Sequence, residues 1–196
     1  MKFTSAAKNR LISVSADRTC KIWEISTGKV AKNFAFSSTP YTIDISSNDG
    51  YFATGHKNGE IRVFNMTDPK EINKTTVHSD QITSIKFTRD GSQLITSSKD
   101  HEIKISQLRD MKTVTTLEHP DLTIPASSGK FALSSSGKYL GIGGTNGSLF
   151  IFDLEKNDFE EAFSSHTTSI YGADWDQSHS SRVATIDSMG MLFIWE

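Results

Sequence analysis

The chain has 196 residues, 36% hydrophobic and 22% charged, which excludes a disordered tail and allows a buried core. Lys and Arg number 21 against 23 Asp and Glu, a formal charge of -2 without the basic excess of a dedicated nucleic-acid binder. No run approaches the roughly 20 apolar residues of a membrane helix, and Met1 to Ser15 has no apolar stretch of the signal-peptide kind.

From the N-terminus, Met1-Lys2-Phe3 aligns with Lys86-Phe87 and reads as the end of a strand. Arg10–Val14 is a second strand, followed by a turn and a third strand in Ser15-Ala16-Asp17-Arg18-Thr19-Cys20-Lys21-Ile22-Trp23-Glu24. Lys29–Phe34 then reads as a fourth. The same series returns. Asn48-Asp49-Gly50 is a turn, Tyr51–Thr54 a strand, and His56-Lys57-Asn58-Gly59-Glu60-Ile61-Arg62-Val63-Phe64-Asn65 a turn and strand. Ile82–Phe87, the turn Arg89-Asp90-Gly91, Gln93–Thr96 and Ser98–Gln107 make a third copy, in which Ser106 takes the aromatic position. Ser135-Ser136-Gly137, Tyr139–Ile142 and Gly144–Asp153 make a fourth, and Ile170–Trp175, Val183–Ile186 and Phe193–Glu196 a fifth. Asn-Gly in two of the turns suits the positive φ of tight hairpins, and alternation as in Glu60–Phe64 buries one face of a strand.

The aromatic position falls at Trp23, Phe64, Ser106, Phe152 and Trp195, at intervals of 41, 42, 46 and 43 residues. That is the period of a WD40 blade, a four-stranded antiparallel sheet repeated radially. The expectation is an all-β WD40 β-propeller, about five blades of an incomplete seven-bladed one, with units ending near those five residues. Residues 1–196 would be the C-terminal part of it, in an open arc, with Trp23, Phe64 and Phe152 buried.

His78 precedes the strand Ile82–Phe87 and His166 precedes Ile170–Trp175. In WD-repeat proteins a histidine here commonly bonds the turn aspartate within a buried network that includes a strand Ser or Thr and the Trp. His78 with Asp100, near Ser97 or Ser98, is the most complete candidate. Asp17 with Trp23 and His166 with Trp195 are partial ones, because the first copy lacks the histidine and the last has Met189 at the turn position, with Asp187 offset.

Other patterns carry less chemistry. The six histidines, His56, His78, His101, His119, His166 and His179, show no zinc-like spacing, so no metal is expected. Gly141–Gly147 runs from a strand into a hairpin, not into a helix N-terminus, so it is no phosphate cradle. Asp174 and Asp176 read as solvated loop acids. No catalytic residues and no cofactor are expected. Cys20, the single cysteine, excludes an intramolecular disulfide and fits a core thiol in a reducing compartment. The sequons at Asn65, Asn73 and Asn146 are chance patterns on that reading.

The motif Ser15–Trp23, Thr54-Gly55-His56-x-x-x-Ile61-Arg62, Asp100-x-x-Ile103-Lys104-Ile105-x-x-Leu108-Arg109, the connection from His119-Pro120-Asp121 to Phe131, and Val183–Asp187 resemble the WD-repeat domain of the autophagy-related protein sixteen-like family. Leu108-Arg109-Asp110-Met111-Lys112 with Leu140–Gly144 is also similar to the spliceosomal ubiquitin ligase family Prp-nineteen. The first resemblance implies a cytoplasmic, non-catalytic scaffold recruited to autophagic membranes, which directs lipidation of a ubiquitin-like modifier there. The second implies a partner-binding domain of a splicing ligase. On either, the partners are other proteins, through peptide motifs or complex subunits; no direct nucleic acid is expected, and membranes are reached only through partners. The working face would be the hairpin turns and inner-strand entrances: Arg18, Lys57, Lys99 and His101 from turns, with Tyr41, Gln81 and Tyr171, a mildly basic, aromatic-flanked rim.

Overall fold

The computed structural model describes residues 1–4, 9–125, 129–178 and 181–196. Among the described residues every regular element is a strand. Sheet one is β1 (Lys2–Phe3), β2 (Arg10–Val14), β3 (Thr19–Glu24) and β4 (Lys29–Ala35). Sheet two is β5 (Pro40–Ile45), β6 (Tyr51–His56), β7 (Glu60–Asn65) and β8 (Glu71–Thr76). Sheet three is β9 (Ile82–Phe87), β10 (Gln93–Ser98), β11 (Ile103–Gln107) and β12 (Thr113–Leu117). Sheet four is β13 (Ala132–Leu133), β14 (Tyr139–Gly143), β15 (Ser148–Asp153) and β16 (Asp158–Ser164). Sheet five has β17 (Ile170–Trp175), β18 (Val183–Asp187) and β19 (Leu192–Trp195). Neighbours in sequence are neighbours in each sheet, the meander of a propeller blade.

The chain divides into two compact units, Met1–Thr96 with Ile105–Val114, and Ser97–Lys104 with Thr115–Glu196. In the first, sheets one and two close on Ile12, Cys20, Ile22, Phe52, Phe64 and Met66, with Phe52 and Phe64 stacked at 4.7 Å. Ile61, Val63, Ile82, Phe87, Leu94 and Met111 form a second cluster there. In the second unit, Leu149 and Ile151 pack on Ile170, Trp175 and Val183. Burial in the first unit's cluster around Ile12 and Phe52 pushes the Cys20 thiol up to about 12, so it stays a protonated core side chain, as expected.

Burial follows position in the sheet rather than alternation: even Glu60–Phe64, expected to bury one face, is buried on both. β6, β10, β14 and β15 are buried almost throughout, whereas β4, β8 and β16 are mostly exposed and each carry two or three charged residues, which blunt a free edge. Three of the third-to-fourth strand ladders carry a bulge at one place, between Ile22 and Trp23, Val63 and Phe64, and Ile151 and Phe152. Phe64 and Phe152 are buried as expected. Trp23 corrects the expectation: it is half-buried, because its indole N–H turns to Ser13 of the same sheet while Lys21 sits over the ring at 5.9 Å.

Candidate functional site

The turns between the second and third strands share one geometry. A residue with left-handed φ closes each: Arg18 (66°), Gly59 (74°), His101 (70°), Gly147 (80°) and Gly190 (81°). Its N–H donates to the carbonyl three residues back, from Arg18 to Ser15 and from His101 to Ser98, the three-residue hairpin that matches strand twist. Glycine meets this φ without strain, and at Gly59 and Gly147 it is required twice over, because a Cβ there would run into the carbonyl of His78 or His166. Arg18 and His101 hold the same φ at a cost of roughly 1 kcal/mol each.

Polar side chains in these turns accept amides of their own turns. Asp17 Oδ1 accepts the Thr19 N–H (2.9 Å) and hydroxyl (2.7 Å), Asp100 Oδ1 the Glu102 N–H (3.2 Å), and Asn146 Oδ1 the Ser148 N–H (3.1 Å). The Thr19 hydroxyl in particular holds Asp17 below the usual carboxylate range. Asp17 is exposed, so its expected place in a buried network is corrected: among the described residues no histidine bonds it, and the Thr19 amide and hydroxyl satisfy it.

In sheets one and five the network is built on a hydroxyl ten residues before the tryptophan of the third strand. Trp23 Nε1–H donates to Ser13 Oγ (2.9 Å), and Trp195 Nε1–H to Thr185 Oγ1 (2.9 Å). In sheet five the hydroxyl also meets His166 Nε2 (2.7 Å), and His166 Nδ1 meets Asp187 Oδ2 (2.9 Å). Burial pushes the Asp187 carboxyl up, but the His166 ring and the Met191 and Met189 amides outweigh it and hold it below its ordinary range. An ionised Asp187 accepts from Nδ1–H, so Nε2 is the nitrogen that meets the Thr185 hydroxyl, whose oxygen in turn accepts from the Trp195 N–H. In sheet five the offset Asp187 is the aspartate of this network, and its Oδ1 also accepts the Met189 and Met191 amides of its turn.

His78 lies in the first unit, where its Nε2 bonds Thr96 (2.8 Å), and Asp100 lies in the second. Sheet two solves the same position with His56 of its own strand, whose Nε2 meets Thr54 (2.9 Å) and whose Nδ1 meets the Ser38 carbonyl (3.1 Å). Burial holds His56 below the ordinary histidine value. His179 lies outside the described residues.

Those bonds brace the exposed face of the first unit. The Phe36 N–H donates to the Arg18 carbonyl (2.9 Å), His56 bonds Ser38, and the Lys57 N–H donates to the Thr39 carbonyl (2.9 Å). Residues 36–40 are therefore stapled to both turns, which places Arg18 and Lys57 on either side of the segment that leads into Tyr41. Tyr41 is 50% exposed, and Arg18 and Lys57 are exposed with no ionic partner among the described residues. Gln81 corrects the expected rim: at 7% exposure it belongs to the interior. In the second unit Tyr171 and His101 are exposed and Lys99 is half-buried. His101 Nδ1 accepts the Ile124 N–H (3.0 Å). Repeat spacing points to the turns; the left-handed Arg18 and His101, and the hydroxyls Ser13 and Thr185, carry no residue signature beyond the ten-residue offset from Trp.

The WD domain, G-beta repeat family matches residues 69–105. Autophagy-related protein 16 of Arabidopsis thaliana is 23% identical over 194 residues, 99% of this chain and 37% of its own length. Protein tipD of Dictyostelium discoideum is 30% identical over 149 residues, 74% of this chain and 24% of its own length. Pre-mRNA-processing factor 17 of Saccharomyces cerevisiae is 27% identical over 212 residues, 100% of this chain and 44% of its own length. The chain spans less than half the length of each of these relatives.

Proposed function

Because the chain belongs to the WD-repeat family, we propose that it is a non-catalytic protein-interaction scaffold, the recruiting part of an autophagy conjugation-complex protein. It directs lipidation of a ubiquitin-like modifier to membranes that it reaches through its partners, and it works in the cytoplasm. The likeness to autophagy-related protein 16 along 99% of the chain supports the autophagy role. The single observation that carries the interaction reading is the stapled turn pair of the first unit. There the fold spends hydrogen bonds, and strain at Arg18, to present two unpaired cations and a tyrosine to solvent. Arg and Tyr are enriched at binding hot spots, and such a face suits an acidic-aromatic segment of another protein.

The likeness to pre-mRNA-processing factor 17 favours a second reading, a partner-binding domain in a splicing or ubiquitin-ligase complex. Affinity capture of the tagged full protein from its own cells separates the two. Subunits of a ubiquitin-like conjugation system are expected, reduced by Lys57→Glu with Lys99→Glu and by Arg18→Glu. Recovery of splicing proteins instead supports the second reading. If both charge-reversed proteins capture every partner at parental levels, the turns are not the working face.

A further inference from the structure

The bulge between β15 and β16 sets two carboxylates side by side. Ile151 pairs with Glu161 and Phe152 with Phe159, so Glu160 is the extra residue of the ladder. The corresponding pair is Ala31 and Lys32 in sheet one, and Ile72 and Asn73 in sheet two. These two positions decide the chemistry of the groove beside them. Ile72 and Asn73 line such a groove in the first unit, and Glu160 and Glu161 line a cavity of about 240 Å³ in the second.

That second cavity has an aromatic wall under an acidic lip. Tyr139, Phe163, Trp175 and Trp195 line it, with Phe163 and Trp195 5.5 Å apart and Tyr139 stacked on Trp175 at 6.3 Å. Glu160 is paired with Lys156 at 2.8 Å. Glu161 is exposed and has no ionic partner among the described residues.

We propose that this cavity is a second docking site, which takes an arginine or lysine side chain from an extended segment of a partner protein. Its volume is below the roughly 300 Å³ at which small-molecule pockets begin, which suits one side chain. A long basic side chain lays its methylene stem on apolar surface and keeps its charged head at the rim. Here the stem lies against Phe163 and Trp195, and the head meets Glu161 in a charge-assisted hydrogen bond. A leucine would fill the wall and leave the carboxylate unused; a glutamate would be repelled.

The test is titration of the purified chain with short Gly/Ser peptides carrying a central Arg, Lys, Leu or Glu, read by the fluorescence of Trp175 and Trp195. The Arg and Lys peptides are expected to bind, more weakly in high salt and about tenfold more weakly in Glu161→Lys, with Glu161→Gln between. Lys57→Glu, at the turn used in the proposed function, is expected to leave this binding unchanged, so the two readings fail separately. Because Glu161 is exposed, its variants keep the fold, checked by far-UV circular dichroism. Equal binding of the Leu and Arg peptides overturns the proposal in favour of an apolar partner. No peptide binding, an unaffected Glu161→Lys protein, or loss of the signal on self-association each overturns it too.

Discussion

Sheets one and five carry a tryptophan near the end of their third strands and bond its indole to a hydroxyl ten residues earlier, yet they support it differently. In sheet five Thr185 stands between Trp195 and His166, and His166 is oriented by Asp187. In sheet one Ser13 meets Trp23, and Asp17 serves its own exposed turn. A chain of buried, fully satisfied hydrogen bonds is worth more than isolated pairs, and losing one member strands the rest. The difference teaches that the Trp–hydroxyl pair is what these two sheets share, and that in sheet five the histidine and aspartate extend it into the buried interior.

The strongest test of that contrast is Thr185→Val. It leaves the Trp195 N–H and His166 Nε2 unpaired, at a cost of about 3 kcal/mol in total. Hydrogen exchange of β18 and β19 reads it directly, with faster exchange expected throughout sheet five. Acid should come next. Because the folded Asp187 pKa is depressed, its contribution is complete above the ordinary carboxylate value of 3.8 and is lost as pH falls through the folded value. Sheet five should therefore open on acidification, and Asp187→Asn should flatten that pH dependence. His56 acts with the same sign at milder pH. Its pKa is lowered below 6.5, so its contribution is complete above that value and shrinks as pH falls through the depressed one.

Ser13→Ala is the matching change in sheet one. It strands one half-buried N–H, so about 1 kcal/mol is expected, read from the urea midpoint. A loss as large as that of Thr185→Val breaks the comparison. The smallest effect sharpens it. Arg18→Gly relieves left-handed strain but adds chain entropy to the unfolded state, for a net gain of about 0.5 kcal/mol. The same variant should weaken partner capture, since Arg18 is presented at the expense of stability.

Much of this molecule is legible residue by residue. Alternation within Glu60–Phe64, the Asn-Gly turns at Gly59 and Gly147, and the spacing from Trp23 to Trp195 are properties of a few neighbouring residues. The φ preference and the two-residue period act before any long-range contact forms. Strands, turns and period therefore lie where they are expected, and the exposed Lys57 and Tyr41 follow from their place in that period.

Partners twenty residues away are another matter. Asp17 and Asp187 both accept amides of their own turns; among the described residues Asp17 bonds only within its turn, whereas Asp187 also orients a histidine. Which occurs depends on whether His166 is packed against the sheet and out of water, since only there does an unpaired nitrogen cost enough to recruit the carboxylate. Gln81 goes inside, Trp23 stays half outside, and the bulged Glu160 and Glu161 meet an aromatic wall built from three other segments. Each of these outcomes is set by how apolar faces close on one another, and a hydrogen-bond pattern confined to four or five residues carries no record of it.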